Sequence, residues 1–346
     1  MIYFDNAATT PLCSAAREVL TQDFYNPSSP HALGLEAERA LKRAAKDLCL
    51  SPDNEIIFTS GGTESNNLGI LGAAFALKSA RGRDKDLHIA AGNQEHPSVT
   101  EPLGYLASLP GFKVSYAAPL EVCKIEDAAM VCLSHVCSET GDVFEADTDA
   151  LVFVDGAQGF CKLPTPARAD IYAFSAHKFH GPMGVGGLIV RKGVRLAPLM
   201  YGGGQQAKLR PGTENVPGIL AMAAAAKQFK PVKNIKAIMA SLAEEIPDCQ
   251  INQTSETSSP YILNISFIGV RGETLTSMLS SQGLYVSMGT ACRAAKKETA
   301  LTALIGKARA ESAIRMSFSH MNTEEEAQQA KEIIKKSVQE LRRIKR

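Results

Sequence analysis

Residues 151–187 read LVFVDGAQGFCKLPTPARADIYAFSAHKFHGPMGVGG, and they contain the clearest indication of the fold class. Two short apolar runs within it, 151–154 and 171–174, are typical of strands that are buried on both faces of a sheet. The first run ends at Asp155, and the second leads into Lys178. Because ligands bind beyond the carboxyl ends of the strands in an open α/β sheet, we expect both side chains to face one crevice.

The same alternation of short apolar runs and helical patterns extends over most of the chain. The predicted strands of this part are 55–59, 87–91, 113–116, 129–134, 151–154, 171–174 and 187–190. Helices are predicted at 36–48, where apolar residues recur at helical spacing, and at 63–77. Strands that alternate with helices favour an α/β fold with a mainly parallel, seven-stranded sheet.

The pattern changes after about residue 230. The remainder predicts three strands (261–268, 284–287 and 313–317), a helix at 273–281 and a final helix from Glu324. We therefore expect two domains. The large domain, which binds the ligand, comprises 13–230, and a smaller α+β domain comprises 1–12 and 231–346.

Composition and charge exclude several functional classes. The 37 basic and 36 acidic residues nearly balance, whereas a nucleic-acid-binding surface would be clearly basic. No stretch approaches the roughly 18 uncharged apolar residues of a membrane span, and the N-terminus lacks the pattern of a secretory signal. The eight cysteines contain no C-x-x-C pair, so we expect reduced thiols and no metal site. A cytoplasmic location is expected.

An aspartate and a lysine that reach one crevice suit pyridoxal 5'-phosphate (PLP). In PLP sites the lysine forms a Schiff base and an acidic residue keeps the pyridine nitrogen protonated. Asp155 and Lys178 alone would be better interpreted as a surface salt bridge, which contributes little. The glycine-rich run 60–63 between a strand and a helix favours the cofactor, because helix N-termini bind phosphate. His96 follows another strand, where it could stack on a planar cofactor or have a structural role.

These motifs together resemble the class V, fold-type I PLP enzymes, and specifically the cysteine desulfurases. The resemblance covers nearly the whole chain. The matching motifs are YFDNAATTP (3–11), NPSS (26–29), TSGGTESNN (59–67), EH (95–96), DGAQ (155–158), SAHK (175–178), RPGTEN (210–215), SMGTAC (287–292) and IRMS (314–317). The resemblance implies a fold-type I large domain and a small C-terminal domain that carries the catalytic cysteine.

The resemblance also implies a role for each matched residue. Catalysis is implied for Lys178 as the Schiff-base lysine, for Cys292 as the nucleophile, and for His96 as a ring-stacking proton shuttle. The implied cofactor-binding residues are Gly62, Thr63, His96, Asp155, Gln158, Ser175, His177, Lys178 and Thr213. The implied substrate-binding residues are Arg315, Asn6 and Ser138. Arg315 suits this role because a guanidinium grips a carboxylate in a two-pronged fork.

The implied reaction converts L-cysteine to L-alanine. Cys292 would take the sulfur as a persulfide and deliver it to a sulfur-acceptor protein, as in iron–sulfur cluster assembly. Thr213 would complete the phosphate site of a neighbouring subunit, which implies a homodimer. No nucleic-acid or membrane partner is expected. Two alternatives remain open: a selenocysteine lyase or another class V aminotransferase-like enzyme, and a non-catalytic scaffold.

The chain departs from its relatives at two places near the expected pocket. Residues 136–141 read VCSETG where relatives usually have VNNETG, so that Ser138 replaces an asparagine that bonds the ring hydroxyl. Ser138 could reach the hydroxyl through water, or Gln158 could act alone. The resemblance also places Ala207 and Lys208 where relatives commonly carry Arg-Gly.

Overall fold

The computed structural model describes residues 1–49, 51–81, 85–288 and 300–344. The strands in these ranges are β1 (Ile2–Tyr3), β2 (Asn54–Thr59), β3 (Leu87–Gly92), β4 (Phe112–Ala117), β5 (Met130–Ser134), β6 (Leu151–Asp155), β7 (Ile171–Ser175), β8 (Gly186–Arg191), β9 (Cys249–Ile251), β10 (Ile262–Phe267), β11 (Leu284–Tyr285), β12 (Ser287–Met288) and β13 (Ala313–Ser317). The helices are α1 (Ser14–Val19), α2 (Ala32–Leu48), α3 (Gly62–Arg81), α4 (Pro97–Ala107), α5 (Val216–Gln228), α6 (Ile235–Ala240), α7 (Leu242–Glu245), α8 (Gly272–Ser281), α9 (Ala300–Ile305), α10 (Lys307–Glu311) and α11 (Glu324–Ile344).

The chain divides into two compact units. The first comprises 1–10, 136–143 and 230–346, and the second comprises 11–135 and 144–229. The predicted large domain, 13–230, includes the segment 136–143, which in the structure groups with the first unit. The carboxylate of the buried Asp142 in this segment accepts hydrogen bonds from the backbone N–H groups of Thr254 and Ser255. The local sequence around Asp142 does not indicate these contacts.

The second unit is built on a seven-stranded sheet in the spatial order β2-β8-β7-β6-β5-β3-β4. All pairings are parallel except the two that β8 makes. Strands β3, β5 and β7 are buried at every position, which explains their continuous apolar sequences. All seven predicted strands are confirmed, each within one residue at either end.

Helices cover both faces of this sheet. On one face α3 and α4 contribute Leu68, Ile70 and Leu103 to a buried cluster, and on the other face α2 and α5 contribute Leu41 and Ile219. The helix predicted at 36–48 begins earlier, at Ala32. The Nδ1 atom of His31 caps it by accepting a hydrogen bond from the backbone N–H of Gly34 over 3.2 Å.

The topology brings the carboxyl ends of six strands to one edge of the sheet. Strand β8 runs opposite to both of its neighbours, so β2 and β7 are parallel to each other. The carboxyl ends of β2, β3, β4, β5, β6 and β7 therefore lie along the same edge. The segments that leave this edge include 60–63, 93–96, 156–158 and 176–178.

The first unit holds a four-stranded antiparallel sheet, β12-β13-β10-β9, and a two-stranded parallel pair, β1-β11. Its core contains residues of α6, α8 and α11, together with Phe4 and Phe318, whose rings meet edge to face at 5.1 Å. The strand predicted at 284–287 is divided into β11 and β12, which belong to different sheets. Among the described helices, none is both long and apolar enough to cross a membrane.

Candidate active site

The turn of residues 60–63, here called the glycine turn, joins β2 to α3. Gly61 has a φ of +150°, a conformation that favours glycine. A Cβ built on Gly62 would lie 3.5 Å from the Cβ of Ser175, so the glycine turn lies against the end of β7. The N–H groups in the first turn of α3 lack partners within the helix and attract an anion. This small, hydroxyl-bearing cradle at the start of a 20-residue helix fits a phosphate group.

An ion pair braces the glycine turn. The Oε2 atom of Glu64 accepts a hydrogen bond from the backbone N–H of Ser60 over 2.6 Å, and Arg210 Nε donates to its Oε1 over 2.9 Å. Burial acts to raise the pKa of Glu64, but the hydrogen bonds from Arg210 and Ser60 outweigh it and the pKa is lowered. The ionised Glu64 therefore ties the turn to the segment of Arg210, which also contains Thr213. Thr213 itself is exposed.

Asp155 lies buried at the end of β6. Its Oδ1 accepts a hydrogen bond from the backbone N–H of Ala157 and its Oδ2 one from Asn66 Nδ2, each over 2.9 Å. A carboxylate has about four acceptor sites, so two such bonds leave capacity for a ring N–H. The backbone after Asp155 passes so close to Tyr172 that a Cβ on Gly156 would lie 2.0 Å from its ring, and only glycine fits there.

His96 caps the N-terminus of α4. Its Nδ1 accepts a hydrogen bond from the backbone N–H of Ser98 over 3.1 Å and lies 2.7 Å from Ser98 Oγ. Ser98 Oγ also lies 2.7 Å from Asn66 Nδ2, which in turn bonds Asp155. Asn66 and Ser98 are residues of the site that the sequence pattern did not reveal. Two features of the sequence could have indicated them. Asn66 is a polar residue one helical turn after Thr63, and Ser98 carries a hydroxyl group two residues after His96.

Glu95 is a buried carboxyl group beside Asp155. Its Oε1 accepts a hydrogen bond from the backbone N–H of Ser134 over 2.9 Å, and its Oε2 contacts Ser134 Oγ. Burial raises the pKa of Glu95 to about 8; the bonds from Ser134 act to lower it, and the charge of Asp155 adds to the rise. At neutral pH the group is mostly protonated, so Asp155 has an uncharged neighbour.

We expect Glu95→Gln to change the pH dependence of stability. Folded Glu95 releases its proton near pH 8, whereas an unfolded glutamate releases it near 4.3, so the folded state holds more protons in between. The parent should therefore lose stability relative to the variant as pH rises from about 5 to about 8, by on the order of 3 kcal/mol. Urea unfolding at several pH values measures this. The control is Glu101→Gln, at an exposed position of α4. Parallel stability curves for the parent and Glu95→Gln would contradict the prediction.

Lys178 lies in a single helical turn, Ala176–Lys178, directly after β7. The next residue, Phe179, is fully buried against Phe160, with ring centroids 5.2 Å apart, and anchors this turn. Burial lowers the pKa of His177 to about 4, and the charges of Lys178 and Lys162 add to this effect. These cationic neighbours would favour an anionic ligand beside His177.

Gln158 is the buried residue predicted to contact the ring hydroxyl. Lys162 Nζ donates to its Oε1 over 2.9 Å, which orients the amide. With a lysine, a buried carboxylate and an anion-binding turn along one sheet edge, the residues of the second unit fit PLP. They include all the predicted cofactor-binding residues: Gly62, Thr63, His96, Asp155, Gln158, Ser175, His177, Lys178 and Thr213.

The first unit contains a separate cluster around Arg315, which is 8% exposed. Its Nη1 donates to the carbonyl of Ser138 over 2.9 Å and lies 3.4 Å from a carboxylate oxygen of Glu139. Its Nη2 lies 3.3 Å from Asp5 Oδ1 and donates to Ser287 Oγ over 3.2 Å. The buried Nε has no hydrogen-bond partner among the described residues. The guanidinium is thus held in place and keeps a donor for an anionic ligand.

Of the two remaining predicted residues, Asn6 is among the residues that the structure describes. Asn6 is buried, and its amide nitrogen donates to the carbonyls of Ser317 and Tyr3, over 2.9 and 3.2 Å. These bonds join the N-terminus to β13, and a part for Asn6 in substrate binding stays a prediction. Cys292 lies outside the described residues.

Comparisons with known proteins show which family the chain resembles. The family described as aminotransferase class-V matches residues 2–330. A protein named cysteine desulfurase IscS from Dictyoglomus turgidum is 32% identical, with 99% of this chain and 96% of the relative covered. A protein of the same name from Photorhabdus laumondii is 36% identical, with 99% and 94% covered. A solved structure titled NifS-like protein superposes with a TM-score of 0.83 at 32% identity, covering 98% of this chain and 99% of the other.

The family match covers far more than half of the chain, and the two relatives are matched over nearly their whole length. The same α/β fold with a mainly parallel sheet is found in the solved relative. The chain therefore belongs to the class V aminotransferase family, in the branch that holds the proteins named cysteine desulfurase.

Proposed function

We propose that this protein is a PLP-dependent cysteine desulfurase, which converts L-cysteine to L-alanine and passes the sulfur to an acceptor protein. The observation that carries the proposal is that Lys178, the buried Asp155 and the glycine turn all lie at the carboxyl ends of strands along one edge of the sheet. The relatives named cysteine desulfurase support the choice of substrate.

In this proposal the second unit holds the cofactor. Lys178 Nζ binds its aldehyde carbon, and Asp155 accepts a hydrogen bond from its ring nitrogen. The proposed phosphate ligands are Gly62, Thr63, Ser175 and His177, with Thr213 from a second copy of the chain in a homodimer. Gln158 donates to the ring hydroxyl and His96 stacks on the ring. When bound, PLP supplies an electron sink that stabilises negative charge at the substrate's Cα.

The proposed sulfur transfer uses five residues. Arg315 binds the substrate carboxylate, with Asn6 and Ser138 beside it. Lys178 Nζ takes the Cα proton. The thiolate of Cys292 then attacks the substrate's Sγ, so that an S–S bond forms while the Cβ–Sγ bond breaks. The electron pair of the broken bond stays with the substrate and is protonated at Cβ. Lys178 Nζ then returns the proton to Cα, which gives alanine.

Arg315→Lys tests the carboxylate role. Lysine keeps the charge but loses the fork, so the KM for cysteine should rise about tenfold or more while kcat changes less. The control is Arg191→Lys, at an exposed position. An unchanged KM, with the fold intact by circular dichroism, would remove Arg315 from substrate binding.

The function itself is tested by product analysis. Purified protein with bound PLP is incubated with L-cysteine and a thiol reductant, which supplies the two electrons that release sulfide from a persulfide. We expect alanine and sulfide in equal amounts. Absence of both products would contradict the proposal and favour a scaffold. Turnover of selenocysteine alone would identify a selenocysteine lyase.

A further inference from the structure

The hydrogen bonds between Asp155 and His96 have only one consistent set of directions. Asn66 Nδ2 lies 2.9 Å from Asp155 Oδ2 and 2.7 Å from Ser98 Oγ. A carboxylate only accepts, so the amide must turn its nitrogen toward Asp155. The two amide hydrogens then serve Asp155 and Ser98, one each.

The directions continue from Ser98 to the imidazole. Because Ser98 Oγ accepts from Asn66, its own proton is available for His96 Nδ1, which is 2.7 Å away. The backbone N–H of Ser98 donates to the same Nδ1 over 3.1 Å. A proton on Nδ1 would face both of these donors, so the hydroxyl and the backbone N–H of Ser98 together keep the lone pair on Nδ1.

We infer that Asn66 and Ser98 are positioning residues that fix neutral His96 in the tautomer with its proton on Nε2. This inference deepens the proposed function and rests on it for the use of His96. In that tautomer His96 enters the reaction as a hydrogen-bond donor and proton donor, and the abstraction of the Cα proton is left to Lys178. Asn66 is 1% exposed and Ser98 is 8% exposed, so bulk water does not compete for these bonds.

Nitrogen NMR of protein labelled with ¹⁵N-histidine tests the inference on PLP-loaded protein without cysteine. The His96→Gln variant identifies the His96 signals among those of the seven histidines. We expect a protonated Nε2 and an unprotonated Nδ1 in the parent. In Ser98→Ala both signals should shift toward the average of a tautomer mixture, and Ser98→Thr, which keeps the hydroxyl, should retain the parent values.

Asn66→Ala provides a second variant that leaves both groups at His96 in place. It frees Ser98 Oγ to accept, so it should shift the signals in the same direction as Ser98→Ala. A proton on Nδ1 in the parent would overturn the inference, as would parent-like signals in both alanine variants. Since the spectra need no turnover, their outcome is independent of whether alanine is formed from cysteine.

Discussion

Lys178→Ala is expected to abolish covalent binding of PLP and to lower the production of alanine from cysteine by about 10⁴-fold or more. No other group of this chain is proposed both to hold the cofactor's aldehyde carbon and to take the Cα proton. The fold should survive, because the fully buried Phe179 and Ser175, not the half-buried Lys178, anchor the turn. The absorbance spectrum after PLP addition and the alanine assay measure the two effects.

Lys192→Ala is the matched control, because Lys192 is exposed just beyond β8. It should leave the spectrum and the rate as in the parent. A Lys178→Ala protein that retains more than about 1% of the parent rate would show that another amine does this work.

Cys292→Ala is expected to stop sulfide production by about 10³-fold or more while PLP binding stays intact, because the nucleophile that accepts the sulfur is gone. This prediction depends on the motif SMGTAC at 287–292. After cysteine is added to the parent, mass spectrometry should find one extra sulfur atom on the peptide that contains Cys292.

Cys123→Ala is the control for a general effect of losing a thiol. Sulfide production that survives in Cys292→Ala, or extra sulfur on another cysteine only, would contradict the assignment of the nucleophile. Selenide release that survives while sulfide release is lost would favour a selenocysteine lyase.

The strands of the large sheet could be predicted well from the sequence, because buried parallel strands have continuous apolar sequences. The sequence also predicted that Asp155 and Lys178 lie at one sheet edge, because the rule of strand carboxyl ends requires only the strand positions. The division of 284–287 between two sheets escaped prediction, since one apolar run does not show which partner each residue pairs with. The early start of α2 at Ala32 depends on a histidine cap, a rare capping residue.

The supporting contacts of the site could not be predicted from spacing. Asn66 and Ser98 lie on different helices, and they meet only because α3 and α4 pack on the same face of the sheet. The carboxylates of Asp5 and Glu139 reach Arg315 from distant parts of the chain. Such contacts depend on tertiary packing, which the local pattern of residues does not indicate.

The uncharged state of Glu95 at neutral pH supports the proposed role of Asp155. A second charge next to Asp155 would compete with it for cations and for the ring nitrogen's proton. Burial raises the pKa of Glu95 to about 8 and so prevents this at neutral pH. The same carboxyl group holds Ser134, the residue that pairs with Asp155 between β5 and β6.

Borohydride reduction of freshly prepared protein, followed by peptide mass spectrometry, tests whether Lys178 binds PLP covalently. Reduction makes the bond between a lysine and the PLP aldehyde carbon permanent. We expect one pyridoxyl group per chain, on the peptide that contains Lys178. A protein that takes up no PLP, or that carries the group on a different lysine, would contradict this expectation.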